Sequence, residues 1–211
     1  MDKKEIDYEV NSELYEFSSG PPAKRKLVDS LRRLLEENDF NSITTAQIAK
    51  TAEANEALIY RYFGSKRGLL HSVLDEYLNE ALINIYNDLR DIEDSVAKLK
   101  SLVYNTFVIY NHQRVFAKII LVEVRNFPDY FRSPTYQVVK RYARLYYDII
   151  QEGINSGAMR SDIPPAYIRD AIIGALEHMI MPAVIFGKTI QPQAYTDKLC
   201  TIILNGILIS R

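Results

Sequence analysis

Two short segments with only a few residues between them constrain this chain more than any other feature. The first, Thr44 to Ala52, opens on Thr44 with Gln47 three residues later. This is the capping-box arrangement, in which each side chain satisfies the other residue's backbone N–H. Ile48 and Ala52 then form an inward face, and Ala49 is small enough for a second helix to cross closely. Glu53, Ala54 and Asn55 make the turn, which is the length a helix-turn-helix uses. The second segment runs from Asn55, a residue able to cap a helix, to Phe63, and Gly64 closes it. Ile59 and Phe63 lie four apart and share a buried face. Glu56, Ala57, Leu58, Tyr60, Arg61 and Tyr62 occupy the other side, a mixture of small, cationic and phenolic groups suited to lying against a polyanion. Taken alone, an ordinary amphipathic helix whose aromatics pack on neighbours accounts for the segment equally well.

The flanks add to the pattern. Ser65 is placed to cap a further helix, whose free N–H groups and Lys66 make a ready phosphate site. Upstream, a helix is expected from about residue 23 to 38, with Leu27, Val28, Leu31, Leu34 and Leu35 as its apolar stripe. Lys24, Arg25 and Lys26 cluster at its start, and phosphate contact is expected of one or two of them. Asn38 and Asp39 are expected to end it in the left-handed conformation that both residue types tolerate. Phe40 and Ile43 should fold back as core plugs.

Thr44-Thr45, Ile48-Ala49, Ala52, the block Ile59-Tyr60-Arg61-Tyr62-Phe63, Ser65-Lys66 and Leu69-Leu70 together resemble the DNA-binding domain of TetR-type repressors, over roughly residues 23–70. Two positions depart from that pattern. Family members often have Gly where this chain has Glu53. They often have Lys, a small residue and then Thr or Ser where it has Glu56, Ala57 and Leu58, so base preference cannot be carried across.

Net charge is −1, which suits a DNA-binding protein poorly until it is divided. Residues 1–22 carry −4, residues 23–70 carry +3, and residues 71–211 are neutral. The positive excess therefore coincides with the helix-turn-helix, where phosphate neutralisation needs it. One Cys, Cys200, excludes an intramolecular disulfide framework and fits a reducing cytoplasm. The first residues lack the apolar run of a signal peptide, and no apolar stretch reaches the ~20 residues that span a bilayer. A cytoplasmic protein with no membrane partner is expected.

With 8 Gly and 8 Pro in 211 residues, long intervals contain neither, and no stretch alternates like a strand. The fold class expected is all-α, with about nine helices: a three-helix head and a larger ligand-binding and dimerisation body. The domains expected are a flexible acidic arm over 1–22, the helix-turn-helix domain over 23–70 and the body over 71–211. A long helix should run from Lys66 to about Leu89, followed by helices near 93–112, 114–126, 134–156, 165–186 and 192–209.

The body is rich in aromatics, whose default role is core packing. Tyr is costly to bury without a hydroxyl partner, however, and apolar walls with a few polar groups also describe ligand pockets. Phe107, Tyr110, Phe116, Ile120, Arg125, Tyr146 and His178 are the candidate effector residues. Leu121 to Arg125, with Gly153 to Arg160, resembles TetR-type members that respond to fatty acyl thioesters, which implies a small hydrophobic effector with Arg125 or Arg114 meeting an anionic head group. A salt-bridged helix residue is the plainer role for either arginine. The last two helices carry more apolar surface than one face can bury, in Ala171–Leu176, Met179–Phe186, Leu199, Ile202, Ile203, Ile207 and Leu208. The resemblance implies a homodimer through these helices and a palindromic double-stranded DNA operator.

The DNA-binding candidates are Thr44, Thr45, Glu56, Ala57, Leu58, Tyr60, Arg61, Tyr62 and Lys66. Ala57 and Leu58 are expected to meet thymine methyls, Glu56 a cytosine amino group, and Arg61 a guanine or a phosphate. Thr45, Tyr60, Tyr62 and Lys66 are expected to hold phosphates. The resulting expectation is a ligand-responsive transcriptional regulator, a repressor by family habit. The alternatives are a helical interaction or ligand-binding protein without operator specificity, and an all-α enzyme. His71, His112 and His178 form no recognised catalytic or metal motif, so no catalytic residue, metal or cofactor is expected.

Overall fold

The computed structural model describes residues 21–207. Among these residues the chain forms nine α-helices and no strand, the all-α architecture expected. They are α1 (Pro22–Glu37), α2 (Thr45–Thr51), α3 (Ala57–Phe63), α4 (Lys66–Leu89), α5 (Ser95–His112), α6 (Arg114–Lys118), α7 (Pro134–Asn155), α8 (Pro165–Phe186) and α9 (Pro192–Ile207). Apart from Pro21 and Pro22, the acidic arm expected over 1–22 lies outside the described residues, as does Leu208. Pro22, Pro134, Pro165 and Pro192 each occupy the first position of a helix, where a missing N–H is harmless and the fixed φ is already helical.

Two expectations need correction. Asn38 and Asp39 do not adopt the left-handed conformation; Asn38 is extended, with φ −134°. Its backbone N–H and its Nδ2 both donate to the Leu34 carbonyl at 3.0 Å, so the side chain does the capping that a left-handed residue would otherwise do. The single helix expected near 114–126 is three pieces. After α6 the backbone widens into a π turn over Ile119–Glu123, then tightens into a 3-10 turn over Val124–Asn126, and another follows over Pro128–Arg132. Hydrophobic spacing registers that a segment is helical and is too coarse to register its pitch.

The described residues divide into two compact units, one running to Ile83 and taking in Arg132–Val138, the other made of Asn84–Phe131 and the residues from Val139 onward. In the first, α1 packs against α2 and α3. Leu27, Leu31, Ile48, Ile59, Leu69, Leu70 and Leu74 are fully buried there, with Phe40 and Ile43 plugging the core as expected. Less visible in the sequence, α4 also buries Asp75, Glu76 and Asn79. Arg25 reaches from α1 to the Glu76 carboxylate at 3.3 Å, and Asn79 donates to the Asp75 carbonyl at 2.9 Å.

In the second unit α5 packs against α8 and α9, and α6 against α8. Its core holds Leu99, Leu102, Phe107, Tyr146, Ile150, Met159, Ile172, Leu176, Ile180, Leu199 and Leu204. Gly153 closes against Met159, whose sulfur would stand 2.6 Å from a Cβ placed there. Exposed apolar side chains gather on the last two helices, at Tyr167, Ile185 and Phe186 of α8 and Ile202 of α9.

Candidate functional site

The helix-turn-helix forms as the residues dictate. Gln47 N–H donates to Thr44 Oγ1 at 3.1 Å, and Thr44 N–H donates to Gln47 Oε1 at 2.7 Å, completing the capping box of α2. The turn takes positive φ at Glu53 (51°), which is where glycine is usual in the resembling family. Asn55 Oδ1 accepts from Ala57 N–H at 2.8 Å and so caps α3 from just outside it. At the far end Gly64, with φ 72°, closes α3 by donating to the Tyr60 carbonyl at 2.9 Å. Ser65 Oγ then caps α4 by accepting from Gly68 N–H at 3.0 Å.

This sequence of caps fixes which face of α3 is free. Ile59 is fully buried, while Glu56, Ala57, Tyr60 and Arg61 are exposed and Leu58 and Tyr62 are half-buried. Thr44 is exposed and Thr45 half-buried at the start of α2. The Thr45 hydroxyl donates to the Glu56 carboxylate, tying the first turn of α2 to the residue that opens α3. The Arg61 guanidinium lies 5.9 Å from the centre of the Tyr62 ring. Lys26, Arg33 and Lys50 are exposed on the same unit. Arg25, by contrast, is committed to Asp29 and Glu76.

Lys66 departs from expectation in its orientation. Its ammonium turns inward, donating to the Phe40 carbonyl at 2.7 Å and to the Ile43 carbonyl, and it lies 4.3 Å from the centre of the Phe40 ring. Burial lowers its pKa below the ordinary lysine value.

The candidate effector residues separate into groups. Phe107 and Tyr146 are fully buried in one core cluster, with Tyr110 packed against it. Phe116 and Ile120 are buried as well, but they are not members of that cluster. Arg125 makes a two-pronged pair with Glu177, at 2.9 and 2.6 Å. That pair, ahead of any other cause, raises the guanidinium pKa. His178 is exposed on α8 rather than lying in a core or pocket, because the helix turns it away from the buried line Ile172, Leu176, Ile180.

Sequence reasoning missed a buried hydroxyl triad. Thr106 Oγ1 bonds to the hydroxyls of Tyr142 and Tyr146, the latter at 3.0 Å, and donates onward to the Leu102 carbonyl at 2.8 Å. Burial pushes the Tyr146 phenol up to about 12 and the Tyr142 phenol well above its ordinary range. The i, i+4 spacing of the tyrosines is readable in the sequence, but their partner on α5 is not. A groove of about 640 Å³ between α5 and α9 was also missed. Lys100, Ser101, Tyr104, Thr196, Cys200 and Thr201 are among its lining residues, and none of the candidate effector residues lines it.

The model of the family "Bacterial regulatory proteins, tetR family" matches residues 27–73, and that of "YsiA-like protein, C-terminal region" matches residues 74–206. The chain belongs to the TetR family. This TetR-family protein is similar to the fatty acid metabolism regulator protein of Bacillus subtilis (strain 168), with 21% identity covering 88% of this chain and 96% of that relative. It is also similar to the HTH-type transcriptional repressor DhaR of Mycobacterium sp. (strain GP1), with 20% identity covering 89% of this chain and 93% of that protein. Among solved structures, the transcriptional regulator FadR from Bacillus subtilis in complex with stearoyl-CoA superposes with TM-score 0.76 and 20% identity, covering 86% of this chain and 98% of that one. FadR from Bacillus halodurans gives 0.77 and 22%, covering 89% and 97%. At these identities the likeness establishes the shared fold. The chain is a ligand-responsive, DNA-binding transcriptional regulator of the TetR family.

Proposed function

We propose that this TetR-family regulator represses transcription in the cytoplasm as a homodimer on a palindromic operator, and leaves it when a small, largely apolar effector binds. The observation that carries the reading is the α2–turn–α3 unit. Its buried side is sealed by Ile48 and Ile59, which leaves Glu56, Ala57, Tyr60 and Arg61 presented together. Ala57 and Leu58 meet thymine methyls, Glu56 accepts from a cytosine amino group, and Arg61 reaches a guanine or a phosphate. Thr44, Thr45, Tyr60 and Tyr62 hold the backbone register. The exposed apolar residues of α8 and α9 supply a surface for the second subunit.

The effector we infer is a fatty acyl thioester. Support comes from the relative that regulates fatty acid metabolism and from the fold shared with a regulator solved with stearoyl-CoA. Phe107, Tyr110, Phe116, Ile120 and Tyr146 provide apolar and phenolic wall, and Arg125 meets the anionic head group by exchanging its Glu177 partner. The effector acts by binding more tightly to the body conformation whose heads do not match the operator. Selection of genomic fragments by the purified protein, followed by footprinting with and without long-chain acyl-CoA, tests the whole reading. A short palindrome released by acyl-CoA is expected; weak salt-sensitive binding without enrichment would remove the operator.

A further inference from the structure

We infer that Lys66 is a positioning residue of the DNA-binding head, an internal clasp whose ammonium holds the loop ahead of α2 and takes no part in neutralising DNA phosphate. The inference rests on the operator-binding reading above, but its core claim concerns the free protein. Lys66 is the first residue of α4, where an exposed lysine beside free helix N–H groups would suit an anion. The structure uses it otherwise. Its Nζ donates to the carbonyl oxygens of Phe40 and Ile43, which receive no backbone N–H among the described residues, and it sits over the Phe40 ring.

Both loop residues are buried, Phe40 at 6% exposure and Ile43 at 3%. Moving the ammonium out to a phosphate would take the donor from both carbonyls at once. Ile43 immediately precedes Thr44, the residue that caps α2. Lys66 itself follows Gly64 and Ser65, which end α3 and begin α4. The clasp therefore joins the entrance of the first helix of the motif to the exit of the second. What it fixes is the position of α2 and its cap relative to α3.

A phosphate contact and a clasp differ in two measurable ways. Replacing a phosphate-bound lysine lowers the slope of log affinity against log salt by about 0.9 per subunit on duplex DNA and leaves the free protein unchanged. Replacing a clasp weakens binding at every salt concentration alike and loosens the loop in the absence of DNA. The experiment uses the full chain as Lys66→Met and Lys66→Arg. Operator affinity is measured across a salt series, and amide hydrogen exchange around residues 40–47 is followed in the free protein.

For Lys66→Met, the expected result is faster exchange across that loop, a loss of affinity of about tenfold or more through depletion of the binding-competent head, and an unchanged salt slope. Lys66→Arg keeps the charge and the donors, but its guanidinium is larger and planar and does not fit the space that a compact ammonium fills between the two carbonyls and the Phe40 ring. It should therefore fail to restore either property, and it also serves as the test if Lys66→Met does not fold. A salt slope reduced by about 0.9 per subunit in Lys66→Met, unaltered loop exchange, or full rescue by Arg would each overturn the inference. If no operator is found, the exchange measurement still decides the clasp, so the two readings fail separately.

Discussion

The Thr45 hydroxyl donates to the carboxylate of Glu56, across the turn that joins the two helices of the DNA-binding motif. The bond aims one carboxylate oxygen and leaves the rest of the group exposed at the opening of α3. If Glu56 reads a cytosine amino group, its removal takes away about 1–3 kcal/mol of discrimination at one base pair per half-site. Glu56→Ala should lose that preference in a binding selection, and Thr45→Val should blur it. Identical base preferences in all three proteins would eliminate this assignment.

The backbone at Glu53 carries strain that its side chain does not require. Its φ of 51° lies in the left-handed region, where an L side chain crowds the following carbonyl. Glycine relieves that crowding but loses more freedom on folding, so Glu53→Gly should stabilise the head by a net of about 0.5–1 kcal/mol. Chemical denaturation measures the difference, and a destabilised variant would contradict it.

Gly68 allows α4 to leave α3 as sharply as it does. A Cβ there would stand 2.0 Å from the Phe63 carbonyl oxygen, which is backbone and cannot rotate away. Gly68→Ala should cost about 1–3 kcal/mol of stability and weaken DNA binding, because α3 must shift to accept it. Calorimetry of the variant beside wild type checks this.

Glu76 gives the head a pH dependence of defined sign. Burial, the largest cause, raises its carboxyl above the ordinary value of 4.5, with the nearby Arg25 opposing less strongly. Folding therefore favours the protonated form. The stabilisation is fully present below the unfolded value and is lost as pH rises through the folded one. Glu76→Gln stays neutral throughout, and Arg25 keeps Asp29 as its partner. The stability of Glu76→Gln relative to wild type should accordingly increase from about pH 4 to about pH 7, which urea unfolding at the two values would detect.

Arg125 and Glu177 are both partly exposed, at 37% and 26% of their side chains. A double-mutant cycle should give a coupling of only about 0.2–1 kcal/mol. The informative variant is Glu177→Gln, which frees the guanidinium. It should bind acyl-CoA more tightly than wild type in calorimetric titration, and weaker binding would remove Arg125 from the effector site.

The short-range physics of this protein could be read from its residues. The Thr44–Gln47 capping box, the Asn55 and Ser65 caps and the Gly64 stop depend on groups within four residues of one another, and each forms as the residues predict. Caps located α2 and α3, and hydrophobic spacing located α1, α4, α5 and α7 to α9, within about two residues at the ends the structure describes, because a 3.6-residue period persists over several turns of the longer helices.

What the sequence could not settle was where polar side chains would find partners far along the chain. Lys66 meets carbonyls 23 and 26 residues away, Arg125 meets Glu177 at a separation of 52, and Thr106 meets Tyr142 and Tyr146 at 36 and 40. The sequence suggests an anion site for a lysine at a helix start, and a salt bridge or a ligand for an arginine in an aromatic body, but it does not name the carbonyls or the carboxylate that folding brings to each. The π turn at Ile119–Glu123 belongs with these, since periodicity does not distinguish one helical pitch from another. Local hydrogen bonding and apolar periodicity determined the helices and the outward face of α3. The tertiary structure decided which charges remained free to act, because a buried donor or acceptor is satisfied by whatever group the fold places within about 3 Å.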